Sequence, residues 1–129
     1  MNDDEANAVM ARFASAYFSK REERIREAVT PDVEWHFAFG PDGADGRVRK
    51  GVEGILRGIA ENDALFARLR FDDVVIRAFG EDQVVMTYTA NGQARATGEE
   101  FSLRGIELIT VRDGRVHRKD VFWKHRTGP

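Results

Sequence analysis

Apolar residues near the start of the chain recur at helical spacing. Val9, Phe13, Ala16 and Tyr17 share one stripe of residues 4–20, which predicts a helix. Asp3 or Asp4 is placed to cap its start. A shorter helix is expected over residues 22–29, with Ile25, Ala28 and Val29 inward, ended by Thr30-Pro31-Asp32. The period then changes to two. Val33, Trp35, Phe37 and Phe39 alternate with Glu34, His36 and Ala38, the pattern of a half-buried strand. Residues 40–46 read as a loop. Residues 51–60 return to helical spacing, with Ile55, Leu56 and Ile59 buried. Gly54 and Gly58 weaken that helix by about 1 kcal/mol each relative to Ala, and their spacing suits close packing on a sheet. Beyond residue 69 alternation predicts strands over 71–79, 83–90, 99–111 and 115–124. Turns are expected at Gly80-Glu81-Asp82, Asn91-Gly92 and Arg112-Asp113-Gly114. This order, with helices in the first half and an antiparallel meander in the second, predicts one α+β domain spanning residues 1–129.

Glu107 breaks the pattern. One face of residues 101–111 carries Phe101, Leu103, Gly105, Glu107, Ile109 and Val111, and Glu107 alone is charged. A carboxylate among apolar neighbours must be paired, shifted in proton affinity, or set against a cavity. What it faces depends on the last turn. A two-residue Asp113-Gly114 turn would set Glu107 opposite Asp120, a like-charge pair. A three-residue Arg112-Asp113-Gly114 loop sets it opposite Lys119, with Ile109 facing His117, Gly105 facing Val121 and Leu103 facing Trp123. A one-residue slip inverts the whole face, so the three-residue register is expected. Leu103, Glu107, Ile109, Lys119, Val121 and Trp123 then form one wall. The reverse face carries Ile106, Leu108, Arg118, Asp120 and Phe122, a mixture suited to a subunit interface.

Composition narrows the function classes. The chain has 20 basic and 22 acidic residues and a formal net charge of −2, which argues against nucleic-acid binding driven by phosphate neutralisation. Absence of cysteine excludes disulfides and thiolate metal sites. His36, His117 and His125 show no tight ligand spacing, and no metal or other cofactor is expected. The Met-Asn-Asp-Asp-Glu start is acidic with no apolar run behind it, so neither signal peptide nor membrane anchor is expected, and a cytoplasmic location is the default.

Several segments resemble the nuclear transport factor 2-like superfamily, which includes the SnoaL-like polyketide cyclases and the ketosteroid isomerases. They are Val9-Met10-Ala11-Arg12-Phe13, Thr30-Pro31-Asp32, the helix start at Gly51 to Ile55, and residues 111–123, Val-Arg-Asp-Gly-Arg-Val-His-Arg-Lys-Asp-Val-Phe-Trp. The resemblance implies a cone-shaped, mainly antiparallel curved sheet wrapped on about three helices, a deep apolar pocket and a homodimer through the sheet face. Ketosteroid isomerases use a carboxylate base beside a tyrosine and a protonated acid. Carried onto this chain, the tyrosine falls on Phe13, the base on Phe37 and the protonated acid on Glu107. Limonene epoxide hydrolases are similar in the last strand, but their aspartate falls on Val121.

Together these readings point to a protein that binds a small apolar molecule and acts as an isomerase, cyclase or hydrolase through a pocket carboxylate. A non-catalytic ligand-binding or dimerisation module is the alternative, because a fold does not dictate a function. Glu107 is the expected titrating group, with Lys119 or His117 tuning it or steadying an oxyanion. The expected pocket residues are Phe13, Tyr17, Trp35, Phe37, Ile55, Ile59, Met86, Tyr88, Leu103 and Trp123.

Overall fold

The computed structural model describes residues 1–124. Three helices, α1 (Asp3–Ser19), α2 (Glu22–Ala28) and α3 (Gly51–Leu65), pack on one face of a six-stranded sheet. The strands are β1 (Val29–His36), β2 (Val48–Lys50), β3 (Phe66–Phe79), β4 (Gln83–Ala94), β5 (Glu100–Arg112) and β6 (Arg115–Trp123). Their order is β2-β1-β6-β5-β4-β3, with β1 parallel to β6 and every other neighbouring pair antiparallel. The expected α+β meander is therefore present, extended by β1 and the short β2. The core lies between helices and sheet. Val9, Met10 and Phe13 of α1 and Ile55 and Ile59 of α3 meet Val33, Trp35, Met86 and Ile109 there.

Local chemistry moved several boundaries. Asn2, rather than Asp3 or Asp4, caps α1, its side chain accepting from the Glu5 N–H at 2.8 Å. Thr30-Pro31-Asp32 does not merely end α2 but already lies in β1, which stops at His36. Pro31 is tolerated where the β1–β6 ladder is irregular. Helix α3 runs to Leu65 and β3 begins directly at Phe66. Asn91-Gly92 is not a turn. It lies within β4 and pairs with Ser102 and Phe101, and the chain reverses beyond Ala94.

The last hairpin corrects the expected register. The turn is the two-residue one, with Arg112 opposite Arg115 and both Asp113 (φ 54°) and Gly114 (φ 72°) left-handed. A bulge follows, and His117 is the extra residue on β6. Beyond it Glu107 pairs with Val121, Ile109 with Lys119 and Gly105 with Trp123. Leu103 pairs with Ala90 of β4 instead of Trp123. The expected and observed registers differ by two residues. Side chains alternate with period two, so the expected membership of each face survives even though each partner changes.

Two glycines set close approaches in this frame. A Cβ on Gly58 would lie 2.6 Å from the Trp35 ring and 2.9 Å from Phe37, so α3 rests on β1 through that gap. Gly105 lies between Tyr88 of β4 and Trp123 of β6, and a Cβ there would meet their rings at 2.6 Å and 2.9 Å. Ala at Gly58 regains about 1 kcal/mol of helix propensity, whereas Gly105 has no such offset. Overpacking costs about 1–3 kcal/mol. Gly105→Ala is therefore expected to destabilise the fold more than Gly58→Ala. Urea unfolding of both variants checks this, and equal midpoints would contradict it.

Candidate functional site

A cavity of about 660 Å³ opens between α1, the end of α3 and the sheet. Met10, Phe13 and Tyr17 of α1 line one side, and Trp35 and Phe37 line another. Met86, Val121 and Trp123 line the sheet side with Glu107 and Lys119. The walls are aromatic for a reason visible in the elements. Phe13 and Tyr17 are one helical turn apart, and Trp35 stacks on Phe37 at 4.2 Å. Phe66 and Trp123 pack with Phe39 and Phe101 as a second aromatic group. Lys20 and Asp63, ion-paired at 2.6 Å, join the ends of α1 and α3 at the lining, with Arg68 and Arg70 of β3 nearby.

Glu107 is 1% exposed and Lys119 7% exposed. Lys119 Nζ lies 3.5 Å from Glu107 Oε1, a diagonal contact rather than the directly opposed pair expected from sequence. The parallel register sets Lys119 beside Trp35. Its ammonium therefore sits 4.4 Å from the Trp35 ring, 5.4 Å from Phe13 and 5.5 Å from Tyr17. Three ring faces and one carboxylate thus surround the cation and attract it.

The other oxygen of Glu107 is held from behind. Trp123 Nε1 can only donate, and it donates to the Tyr88 hydroxyl at 2.8 Å. The Tyr88 proton is thereby directed to Glu107 Oε2, also at 2.8 Å. Gly105 makes this chain possible, because its missing side chain lets Tyr88 and Trp123 meet across β5. Glu107 Oε1 accepts no hydrogen bond among the described residues. Burial, the Glu107 charge and the bond to Glu107 all push the Tyr88 phenol well above its ordinary value, and the Trp123 bond opposes them. Tyr17 is also raised, first by burial, against the lowering effect of its bond from Asn62.

Of the residues singled out from sequence, Glu107, Lys119, Phe13, Tyr17, Trp35, Phe37, Met86 and Trp123 are brought together at the cavity. Ile55 and Ile59 are buried in the core outside its lining. Tyr88 lies behind Glu107 as its hydrogen-bond partner, and Leu103 is half-buried outside the lining. His117 is carried away from the cavity by its bulge. Its Nδ1 is 2.8 Å from Thr30 Oγ1 and 3.5 Å from Asp32, so it does not reach Glu107. His36 bonds Glu34 at 3.0 Å, and His125 lies outside the described residues. Among the described residues no group of three or more potential ligands could hold a metal ion. The sequence reading missed Phe39, Phe66, Leu69 and Phe71 as lining. Leu69 could have been found by extending the period-two pattern of β3 back from Phe71, whereas Phe66 lies across a register shift that reverses parity.

Comparison with known proteins places this geometry in a family. The SnoaL-like domain model matches residues 10–119, and the chain belongs to that family. An NTF2-like protein from Burkholderia xenovorans LB400 is similar at TM-score 0.80 and 16% identity, over 96% of this chain and 92% of that one. A candidate polyketide cyclase from Xanthomonas campestris pv. campestris is similar at TM-score 0.76 and 18% identity, over 95% and 92%. A hypothetical protein of ketosteroid isomerase-like fold from Catenulispora acidiphila, solved in complex with trimethylamine, is similar at TM-score 0.69 and 17% identity, over 88% and 83%. At these identities the likeness establishes the fold, the cone-shaped α+β architecture expected from sequence. A comparison with curated proteins gives no significant match. No helix among the described residues is long and apolar enough to cross a membrane.

The raised tyrosine gives a pH dependence of definite sign. The folded state keeps the Tyr88 proton above pH 10.0, its ordinary value, where the unfolded chain releases it. The folded state then binds more protons, so stability present below that pH is lost as pH rises through it. Tyr17 adds in the same direction. Tyr88→Phe is expected to unfold less steeply with alkali than the parent while being about 1–3 kcal/mol less stable at neutral pH, because Trp123 and Glu107 lose their partner. Urea unfolding across the alkaline range checks both signs, and an unchanged alkaline slope would contradict the assignment.

Proposed function

We propose that the cavity binds a small apolar molecule carrying an enolisable carbonyl, and that Glu107 moves a proton on it in an isomerase- or cyclase-type reaction. The observation that carries this reading is the division of labour at Glu107. Tyr88 holds Oε2, while Oε1 accepts no hydrogen bond and faces the Lys119 ammonium at 3.5 Å, on a residue that lines the cavity. A substrate with its carbonyl oxygen on Lys119 would offer the adjacent C–H to Oε1. Lys119 would steady the developing enolate, and the aromatic walls would strengthen that attraction by excluding water. The pair would thus do what separate groups do in ketosteroid isomerases, whose tyrosine and base positions fall here on Phe13 and Phe37. A hydrolase reading lacks its last-strand aspartate, because Val121 stands there. The candidate cyclase among the structural neighbours is in keeping with this chemistry.

Exchange of the α-protons of β-tetralone in heavy water, followed by NMR, tests the reading. The parent chain is expected to accelerate exchange, and Glu107→Gln to lower the rate by about 10²- to 10⁴-fold. Quenching of tryptophan fluorescence without any exchange would favour the non-catalytic binding module. Neither quenching nor exchange would remove the carbonyl-site reading for this probe class.

The same proposal includes a homodimer through the outer face of the sheet. Leu108 is 41% and Phe122 49% exposed there, with Ile106 opposite Phe122 and Arg118 and Asp120 around them. Such an apolar centre with a charged rim suits a second copy of the chain. Light scattering is expected to show a dimer for the parent and a monomer for Phe122→Lys; a monomeric parent would overturn this part.

A further inference from the structure

We propose that Lys119 captures its carbonyl ligand covalently, as a protonated imine whose counter-ion is Glu107. This deepens the reading of the cavity as a carbonyl site and rests on it. Three observations lead there. Lys119 is a lining residue of the cavity, and its amine is held there by the ion pair with Glu107 and by three rings, with no hydrogen bond among the described residues. A carboxylate oxygen without another partner stands 3.5 Å away, positioned to receive a proton. The rings of Trp35, Phe13 and Tyr17 enclose a cation at this point whatever its carbon substituents.

The charge balance makes the step feasible in a buried site. The ammonium passes one proton to Glu107 Oε1, and the freed amine attacks the carbonyl carbon to form a carbinolamine. Glu107 returns the proton to the departing hydroxyl, which leaves as water. The overall change is Lys–NH₃⁺ plus R₂C=O giving Lys–NH⁺=CR₂ plus H₂O. One cation replaces another at the same place, so no new buried charge is created. The aromatic cage and the carboxylate that hold the ammonium also hold the iminium. The iminium in turn acidifies the neighbouring C–H, and Glu107, ionised again, is the base beside it. The other described lysines, Lys20, Lys50 and Lys124, are exposed and have no comparable enclosure.

The probe is β-naphthaldehyde with cyanoborohydride, followed by proteolysis and mass spectrometry, with tryptophan quenching measured separately without reductant. The expected result is reductive labelling of Lys119 about tenfold faster than of the exposed Lys20, Lys50 or Lys124, because the cavity holds the aldehyde against the amine and Glu107 takes up its proton. Lys119→Arg keeps a cation beside Glu107, so it is expected to fold and to quench with the aldehyde while giving no adduct at that position. Glu107→Gln is expected to slow labelling at Lys119 without affecting the exposed lysines. Quenching in the parent with labelling confined to exposed lysines would overturn the imine and leave the carbonyl pocket standing. Absence of quenching would overturn both.

Discussion

The buried ion pair between Lys119 and Glu107 constrains the rest of the molecule. Its 3.5 Å separation corresponds to an attraction of about 5 kcal/mol at an effective dielectric near 20. Desolvating the two ions costs several kcal/mol each, so the pair alone does not stabilise the fold. Its neighbours close the difference. Tyr88 donates to the carboxylate, and three rings face the ammonium with about 0.5–2 kcal/mol each. Removing either charge would strand the other, which makes the pair an obligatory unit.

That requirement reaches into several elements. Helix α1 must present Phe13 and Tyr17 on one stripe, β1 must lie parallel to β6 so that Trp35 flanks Lys119, and Gly105 must lack a side chain so that Trp123 can support Tyr88. Gly58 must be bare for α3 to lie on Trp35 and Phe37. The aromatic walls of the cavity are thus the same residues that make a buried cation tolerable. Packing and chemistry share them, which is why the floor is polar and the sides are not.

Within the SnoaL-like family this arrangement departs from the ketosteroid isomerase pattern. On the sequence resemblance, phenylalanine falls where that pattern has its tyrosine and its base, and here a lysine lies beside Glu107. The buried ion pair of this chain lies on β5 and β6. An apolar ligand would meet one acid–base dyad at the end of the cavity rather than groups converging from three elements.

Much of this was legible in the chain. Periodicity located each helix and each long strand, and a single acidic residue on an apolar face marked Glu107. The face shared by Glu107, Lys119, Val121 and Trp123 was legible because the expected and observed registers differ by an even number of residues, which keeps the alternation in step. The partners on that face did not follow. Asp113-Gly114 favours a two-residue turn, but a bulge at His117 then adds a residue, and no local feature weighs those two energies against each other. The hydrogen-bond chain through Tyr88 was equally hidden, since it depends on strands β4 and β6 meeting across Gly105. Lys119's cage required β1 to return parallel beside β6, with Trp35 and Lys119 more than eighty residues apart in sequence. Local periodicity determines which side of an element a residue occupies; only the packing of distant elements decides what it touches there.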